Sequence, residues 1–122
     1  MLISTNKQTT TYVKGMQGEW LAAWALRMRG WRILARRWSC RLGEVDLIAR
    51  RGRLVIFVEV KARCDIETAL AALTQRQWQR IEATADIFMA RHRELQNCSW
   101  RFDAVCITPY QWPRHFPAIW HP

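Results

Sequence analysis

Apolar and polar positions along the chain change period several times, and each change marks an element. From Gly15 to Arg29 (GMQGEWLAAWALRMR) the spacing is helical, and Gly30 is a natural stop. Trp20, Leu21, Trp24 and Met28 fall on one broad side of this segment, so a mostly buried helix is predicted. Three strand-like stretches follow: Trp31 to Ser39, Leu42 to Arg50 and Leu54 to Lys61, with Arg51-Gly52 turning the last two into a hairpin. Residues 62–73 read as a connection with a helical start. From Thr74 to Leu95, Trp78, Ile81, Ala85, Phe88, His92 and Leu95 recur every three or four residues, the face of an amphipathic helix. His92 reads there as a packed core histidine. A last strand, Arg101 to Thr108, precedes a tail rich in proline and aromatic residues.

The third strand is apolar on both faces from Leu54 to Val58, the mark of a central position. A helix lies between it and the last strand, which implies parallel pairing across a crossover. The expectation is a single α/β domain of αβββαβ order, with a mixed central sheet flanked by helices. The 122 residues suffice for one core. Residues 1–14 read as a flexible leading segment, 15–108 as the α/β domain and 109–122 as an aromatic tail. Trp20, Trp24 and Trp78 are expected in the core. For the tail, with Tyr110, Trp112, Arg114, His115, Phe116 and Trp120, docking onto its own domain ranks ahead of dimerisation, and stacking on unpaired bases comes third.

Charge narrows the partner. Nineteen Lys and Arg against ten Asp and Glu leave a net charge of +9, and only three of the nineteen are Lys. Such an excess on a small domain attracts polyanions, nucleic acid first among them; an Arg-rich solvated surface is the plainer alternative. The apolar runs are far too short for a membrane span, and the polar start lacks a secretory signal, so a cytoplasmic protein without a membrane partner is expected. Cys40, Cys64, Cys98 and Cys106 form no CxxC pair, and neither disulfides nor zinc are expected.

Against so basic a background the acids carry the information. Glu19 has Met16, Ala22, Ala23 and Leu26 as helical neighbours, an apolar setting that disfavours an unpaired charge; a first-turn carboxylate favoured by the helix dipole is the simpler account. The hairpin reads Gly43-Glu44-Val45-Asp46-Leu47-Ile48 and then Phe57-Val58-Glu59-Val60-Lys61. Strand alternation puts Glu44 and Asp46 on one face, and Glu59 and Lys61 on one face. A two-residue loop at Arg51-Gly52, pairing Arg50 with Arg53, merges those faces. Glu44 then stands opposite Glu59, and Asp46 opposite Phe57 and diagonal to Glu59. Clustered carboxylates need protons or a cation, and oxygen-only ligands suit Mg²⁺ or Mn²⁺. Lys61 beside them is suited to orienting a water or to neutralising charge on a phosphate. A cross-strand salt bridge from Lys61 to Glu44 or Asp46 is the structural alternative.

Gly18-Glu19, Gly43-Glu44-Val45-Asp46-Leu47-Ile48, Val58-Glu59-Val60-Lys61-Ala62-Arg63 and Arg101-Phe102-Asp103 together resemble the YraN-like family of predicted bacterial nucleases. That family belongs to the PD-(D/E)XK superfamily and is related to archaeal Holliday junction resolvases. The resemblance spans about residues 15–107 and implies a restriction-endonuclease-like core. It further implies an Mg²⁺-dependent endonuclease acting on structured or branched DNA, with Asp46 and Glu59 on the metal, Lys61 assisting the water and Glu19 supporting the metal. Arg63, Arg76 and Arg80 are the candidate phosphate contacts, and a homodimer would suit a four-way junction. Where the family commonly has Lys at the start of its second long helix, this chain has Gln77. A non-catalytic nucleic-acid-binding or adaptor domain on the same fold is the rival expectation.

Overall fold

The computed structural model describes residues 18–122; the expected flexible segment 1–14 and residues 15–17 of the expected first helix lie outside the described residues. Helix α1 covers residues 18–28 and ends at Gly30. There follow β1 (Arg32–Cys40), β2 (Gly43–Arg51), β3 (Leu54–Ala62), a short α2 (Ile66–Ala71), α3 (Gln75–Arg91), a 3-10 turn (Arg93–Leu95), β4 (Ser99–Ile107) and β5 (Arg114–Trp120). The five strands form one sheet in the order β1-β2-β3-β4-β5. The β3–β4 pair is parallel and the other three are antiparallel. The α/β architecture, the parallel crossover and the central place of β3 all match expectation.

Two cores sandwich the sheet. On one side Val55 and Phe57 of β3 meet Trp78, Ile81, Ala85 and Phe88 of α3. On the other, Ile56 and Val58 meet Ala22, Ala23 and Leu26 of α1. Strand alternation thus feeds both layers, which is why β3 is apolar throughout its first five residues. Thr74 caps α3 by accepting a hydrogen bond from the Gln77 amide at 3.2 Å, and Asp65 caps α2 by accepting one from the Thr68 amide at 2.7 Å. Residues 62–73 therefore hold a complete short helix.

Three further expectations are corrected. The hairpin turns on Gly52-Arg53, not Arg51-Gly52: Arg51 pairs with Leu54 and Ile48 with Phe57. Gly52 takes the left-handed conformation (φ +62°) that this turn requires. Asp46 is accordingly not opposite Phe57. A shift of two residues by itself preserves which face each side chain occupies, but the alternation of β2 breaks at Asp46, since Val45 packs into the α3 core and Leu47 into the α1 core.

The second correction concerns α1. Its large apolar residues are not core: Trp20 is 61% exposed and Met28 65%, with Leu21 and Trp24 also exposed. The helix meets the sheet through Ala22, Ala23, Ala25 and Leu26, whose small side chains allow close approach. In a helix apolar all round, periodicity alone does not say which side faces the sheet.

Third, the tail docks onto its own domain, as expected, but does so as a strand that the αβββαβ order lacked. β5 pairs with β4, and Trp120 stacks on Trp78 with ring centroids 6.4 Å apart. Trp120 also donates its indole N–H to Glu82 of α3. His92, at the end of α3, stacks on Phe88 and hydrogen-bonds the Phe88 carbonyl at 2.7 Å. Among the described residues no helix is long and apolar enough to cross a membrane.

Candidate functional site: a carboxylate cleft

At the C-terminal end of β3 the apolar run gives way to Glu59, Val60 and Lys61, beside an open cleft of about 940 Å³. Glu19 of α1, Glu44 and Asp46 of β2, Glu59 and Lys61 of β3, and Gln77 of α3 all line it. Four segments far apart in sequence thus converge at one end of the sheet, the usual place for a site in an α/β fold.

Glu59 is the centre of the cluster. Its residue is only 5% exposed, and its Oε1 is buried without a hydrogen-bond partner. Oε2 accepts a hydrogen bond from the Gln77 side-chain amide. The Lys61 ammonium stands 3.8 Å from that same oxygen, an ionic contact rather than a hydrogen bond. Burial, then the Asp46 carboxylate beside it, push the Glu59 carboxyl up to about 9, with Lys61 opposing them. Asp46 is fixed from the other side, its Oδ2 accepting a hydrogen bond from the Val60 amide at 2.8 Å. The two carboxylates therefore meet at the sheet end, beside the point where the alternation of β2 breaks: Val45 packs into the α3 core and Leu47 into the α1 core.

Glu19 reaches the cleft from α1 and is held by Arg37, whose Nε donates to Glu19 Oε2 at 2.7 Å. Burial raises the Glu19 carboxyl above its ordinary range, with the Arg37 hydrogen bond opposing and the Asp46 charge adding to the rise. Arg37 lies on β1 with a left-handed backbone (φ 51°), and no motif singled it out. The signal available was that Arg36-Arg37 interrupts the apolar alternation of an edge strand.

The candidate phosphate contacts divide. Arg63 lines the cleft and is exposed. Arg76 and Arg80 are exposed on α3, outside the cleft lining; Arg80 packs beside Gly43, where an added Cβ would sit 3.0 Å from Thr84 Oγ1 and 3.5 Å from Arg80 Cβ. Gln77, read from sequence as a missing basic residue, instead serves as a partner of Glu59.

Among the described residues no group of three His, Cys, Asp or Glu makes a ready-built metal cage. Asp46 and Glu59 make a pair of hard oxygen donors, one of them with an unpartnered buried oxygen, beside an open cleft. Mg²⁺ characteristically takes one or two carboxylates and keeps its waters, so the residues fit that ion and do not fit structural zinc.

A second buried carboxylate, Asp103 of β4, does not line the cleft, and both of its oxygens have partners. Arg101 grips it in a fork, Nε to Oδ1 and Nη2 to Oδ2, both at 2.8 Å. His115 Nε2 lies 2.7 Å from Oδ2, and the Ala118 amide donates to Oδ1 at 2.9 Å. Ala118 has a left-handed backbone (φ 53°) that accompanies the β4–β5 irregularity. Asp103 thus fastens the tail strand to the sheet.

The profile of the family described as "Uncharacterised protein family UPF0102" matches residues 18–107. A UPF0102 protein of Brucella canis is 49% identical over 113 residues, covering 93% of this chain and 90% of its own length. One from Mesorhizobium japonicum is 53% identical over 104 residues, covering 85% and 83%. A third, from Bartonella tribocorum, is 44% identical over 117 residues, covering 96% and 90%. With a family profile spanning most of its length and relatives at this identity, the chain belongs to the UPF0102 family.

Proposed function

We propose that the cleft is a divalent-cation-dependent phosphodiesterase site, and that the protein is an endonuclease acting on structured or branched DNA. The observation that carries this reading is Glu59: a buried carboxylate with one unpartnered oxygen, set against a second carboxylate and a lysine. Two carboxyls pressed together under burial, with the lysine too far for a hydrogen bond, are unfavourable unless a proton or a cation lies between them.

Asp46 and Glu59 hold Mg²⁺ or Mn²⁺ in this reading. When bound, the ion supplies Lewis-acid polarisation of the scissile phosphate and acidification of a nucleophilic water. Gln77 and the Val60 amide fix the two carboxylates in place, which keeps the donor oxygens preorganised. Lys61 offers its ammonium to the attacking water or to charge developing on the phosphate oxygens. Glu19, steered by Arg37, borders the same space and tunes its negative potential. Arg63 and the general excess of positive charge draw the phosphate backbone towards an otherwise acidic cleft. The nuclease-superfamily resemblance of the GEVDLI and VEVKAR segments supports the same chemistry.

The test incubates purified protein with branched and linear DNA in Mg²⁺, in Mn²⁺ and in chelator. Cleavage that requires the metal, and that Glu59→Gln and Lys61→Ala abolish while binding persists, is the expected result. Cleavage in chelator, or undiminished cleavage by both variants, rejects the reading. Salt-sensitive binding with no cleavage under any of these conditions supports an adaptor on the same fold.

A further inference from the structure

The exposed apolar residues of α1 are not scattered. Trp20, Trp24, Arg27 and Met28 are spaced by three, four, seven and eight residues, so they form one stripe along the solvent side of the helix, with Leu21 at its margin. Trp24 meets exposed Trp112 with ring centroids 5.0 Å apart and planes at 58°. Two residues before Trp112, Tyr110 lies fully exposed at the cleft, with a left-handed backbone (φ 61°) unusual for a residue with a side chain. Leu21 lines the cleft as well. An aromatic surface therefore begins at the cleft mouth and continues along α1 by way of Trp112 and Trp24. So large a contiguous apolar surface on a small domain marks an interaction site.

Charge selects the occupant. A second copy of this chain would bring another net +9 against the first, whereas a polyanion is attracted. Exposed Arg27 lies within the stripe and exposed Arg29 follows it, an interleaving of cations and aromatic faces that suits bases alternating with phosphates.

We propose that this stripe is a stacking platform for the unpaired bases of a single-stranded nucleic-acid segment that enters or leaves the carboxylate cleft. The proposal rests on the cleft reading for the path of the strand, and it narrows the substrate to nucleic acid with an unpaired arm. Duplex bases are already stacked on each other and offer only an edge to Trp20 and Tyr110. Unpaired bases offer their faces.

Binding is measured by fluorescence anisotropy in chelator, with labelled short oligothymidylate and with a blunt duplex of equal length. Trp20→Ala and Tyr110→Ala should each weaken oligothymidylate binding by about tenfold, whereas Trp20→Phe stays within about threefold, as base–aromatic stacking requires. Duplex affinity should change by less than about twofold, because phosphate contacts dominate it. Circular dichroism and sedimentation velocity accompany each variant. Absent oligothymidylate binding by the unaltered protein, unchanged binding by both alanine variants, or equal losses on duplex and single strand overturns the proposal. So does a dimer that Trp20→Ala dissociates, which would assign the stripe to a second copy. With no metal present, these outcomes bear on the stripe alone; metal-dependent cleavage of DNA bears on the cleft alone.

Discussion

Glu59 and Asp103 stand on neighbouring parallel strands, nearly level with each other, since Glu59 pairs with Ala104 and Val58 with Asp103. Both are buried acids in a strongly basic chain. Their surroundings differ completely. Asp103 receives an Arg fork, a histidine nitrogen and a backbone amide; Glu59 receives one amide and keeps one oxygen bare. Burial by itself would raise both. For Asp103 the hydrogen bonds from Arg101, His115 and Ala118 outweigh burial and hold the carboxyl below its ordinary range. For Glu59 burial prevails, Asp46 adds to it, and the carboxyl rises to about 9. The contrast separates an acid that fastens structure from an acid that, in the function proposed above, is kept for a cation.

The largest effect should come from breaking the fastened acid. Asp103→Asn leaves Arg101 and His115 facing a neutral group and loosens β5, and should cost about 3 kcal/mol in denaturant-monitored unfolding. The cleavage rate per folded molecule should remain close to that of the unaltered protein. A loss of metal-dependent activity without any loss of stability would erase the distinction between the two acids.

Next in size is the activity of the other acid. Glu59→Gln should lower metal-dependent DNA cleavage by about 10²–10³-fold, the scale of removing one stabilising group from a preorganised site. Its fold should be intact by circular dichroism. Retained cleavage would remove Glu59 from the chemistry.

Opposite pH slopes offer the third test. In chelator, Glu59 keeps its proton in the folded state but releases it on unfolding between pH 4.5 and about 9, so its contribution to stability falls as pH rises through that window. Asp103 behaves in the reverse sense: its contribution is present above the ordinary carboxylate range and is lost only as pH drops below 3.8. Mg²⁺ competes with the Glu59 proton, so saturating Mg²⁺ should stabilise the protein by about 1–3 kcal/mol near pH 8.5 and by less near pH 5. Thermal scans with and without the ion measure this, and an equal stabilisation at both pH values would contradict it.

The smallest expected effect is a gain. In chelator near pH 8, Glu59→Gln removes the buried ionisable group while keeping an acceptor for Gln77, and should stabilise the fold by about 1 kcal/mol. A destabilisation of that size would show Glu59 to be a structural anchor like Asp103.

Most of the scaffold was legible in the chain. Period-two alternation is built into a pleated strand, so the shared face of Glu59 and Lys61 followed from the residue order. The misplaced register alone would have kept the same faces, but the alternation of β2 breaks between Val45 and Leu47, which only the fold reveals. The apolar run of β3 declared a central strand, and the helix between β3 and β4 required parallel pairing. The partners of the acids were not legible. Gln77 lies 18 residues from Glu59, Arg37 lies 18 from Glu19, and His115 lies 12 from Asp103. No local rule couples such positions. The β5 strand was hidden for a similar reason, because Pro and aromatic residues obscure its alternation and its edge position is defined only by β4.

Sequence by itself therefore determined the α/β order, the central strand and the meeting of two carboxylates with a lysine at its end. Only tertiary structure decided which acid is satisfied and which is left bare. It also decided that α1 turns its alanines to the sheet and its tryptophans to solvent. Hydrophobicity states that a side chain gains by leaving water; the neighbours that the fold supplies determine whether it does.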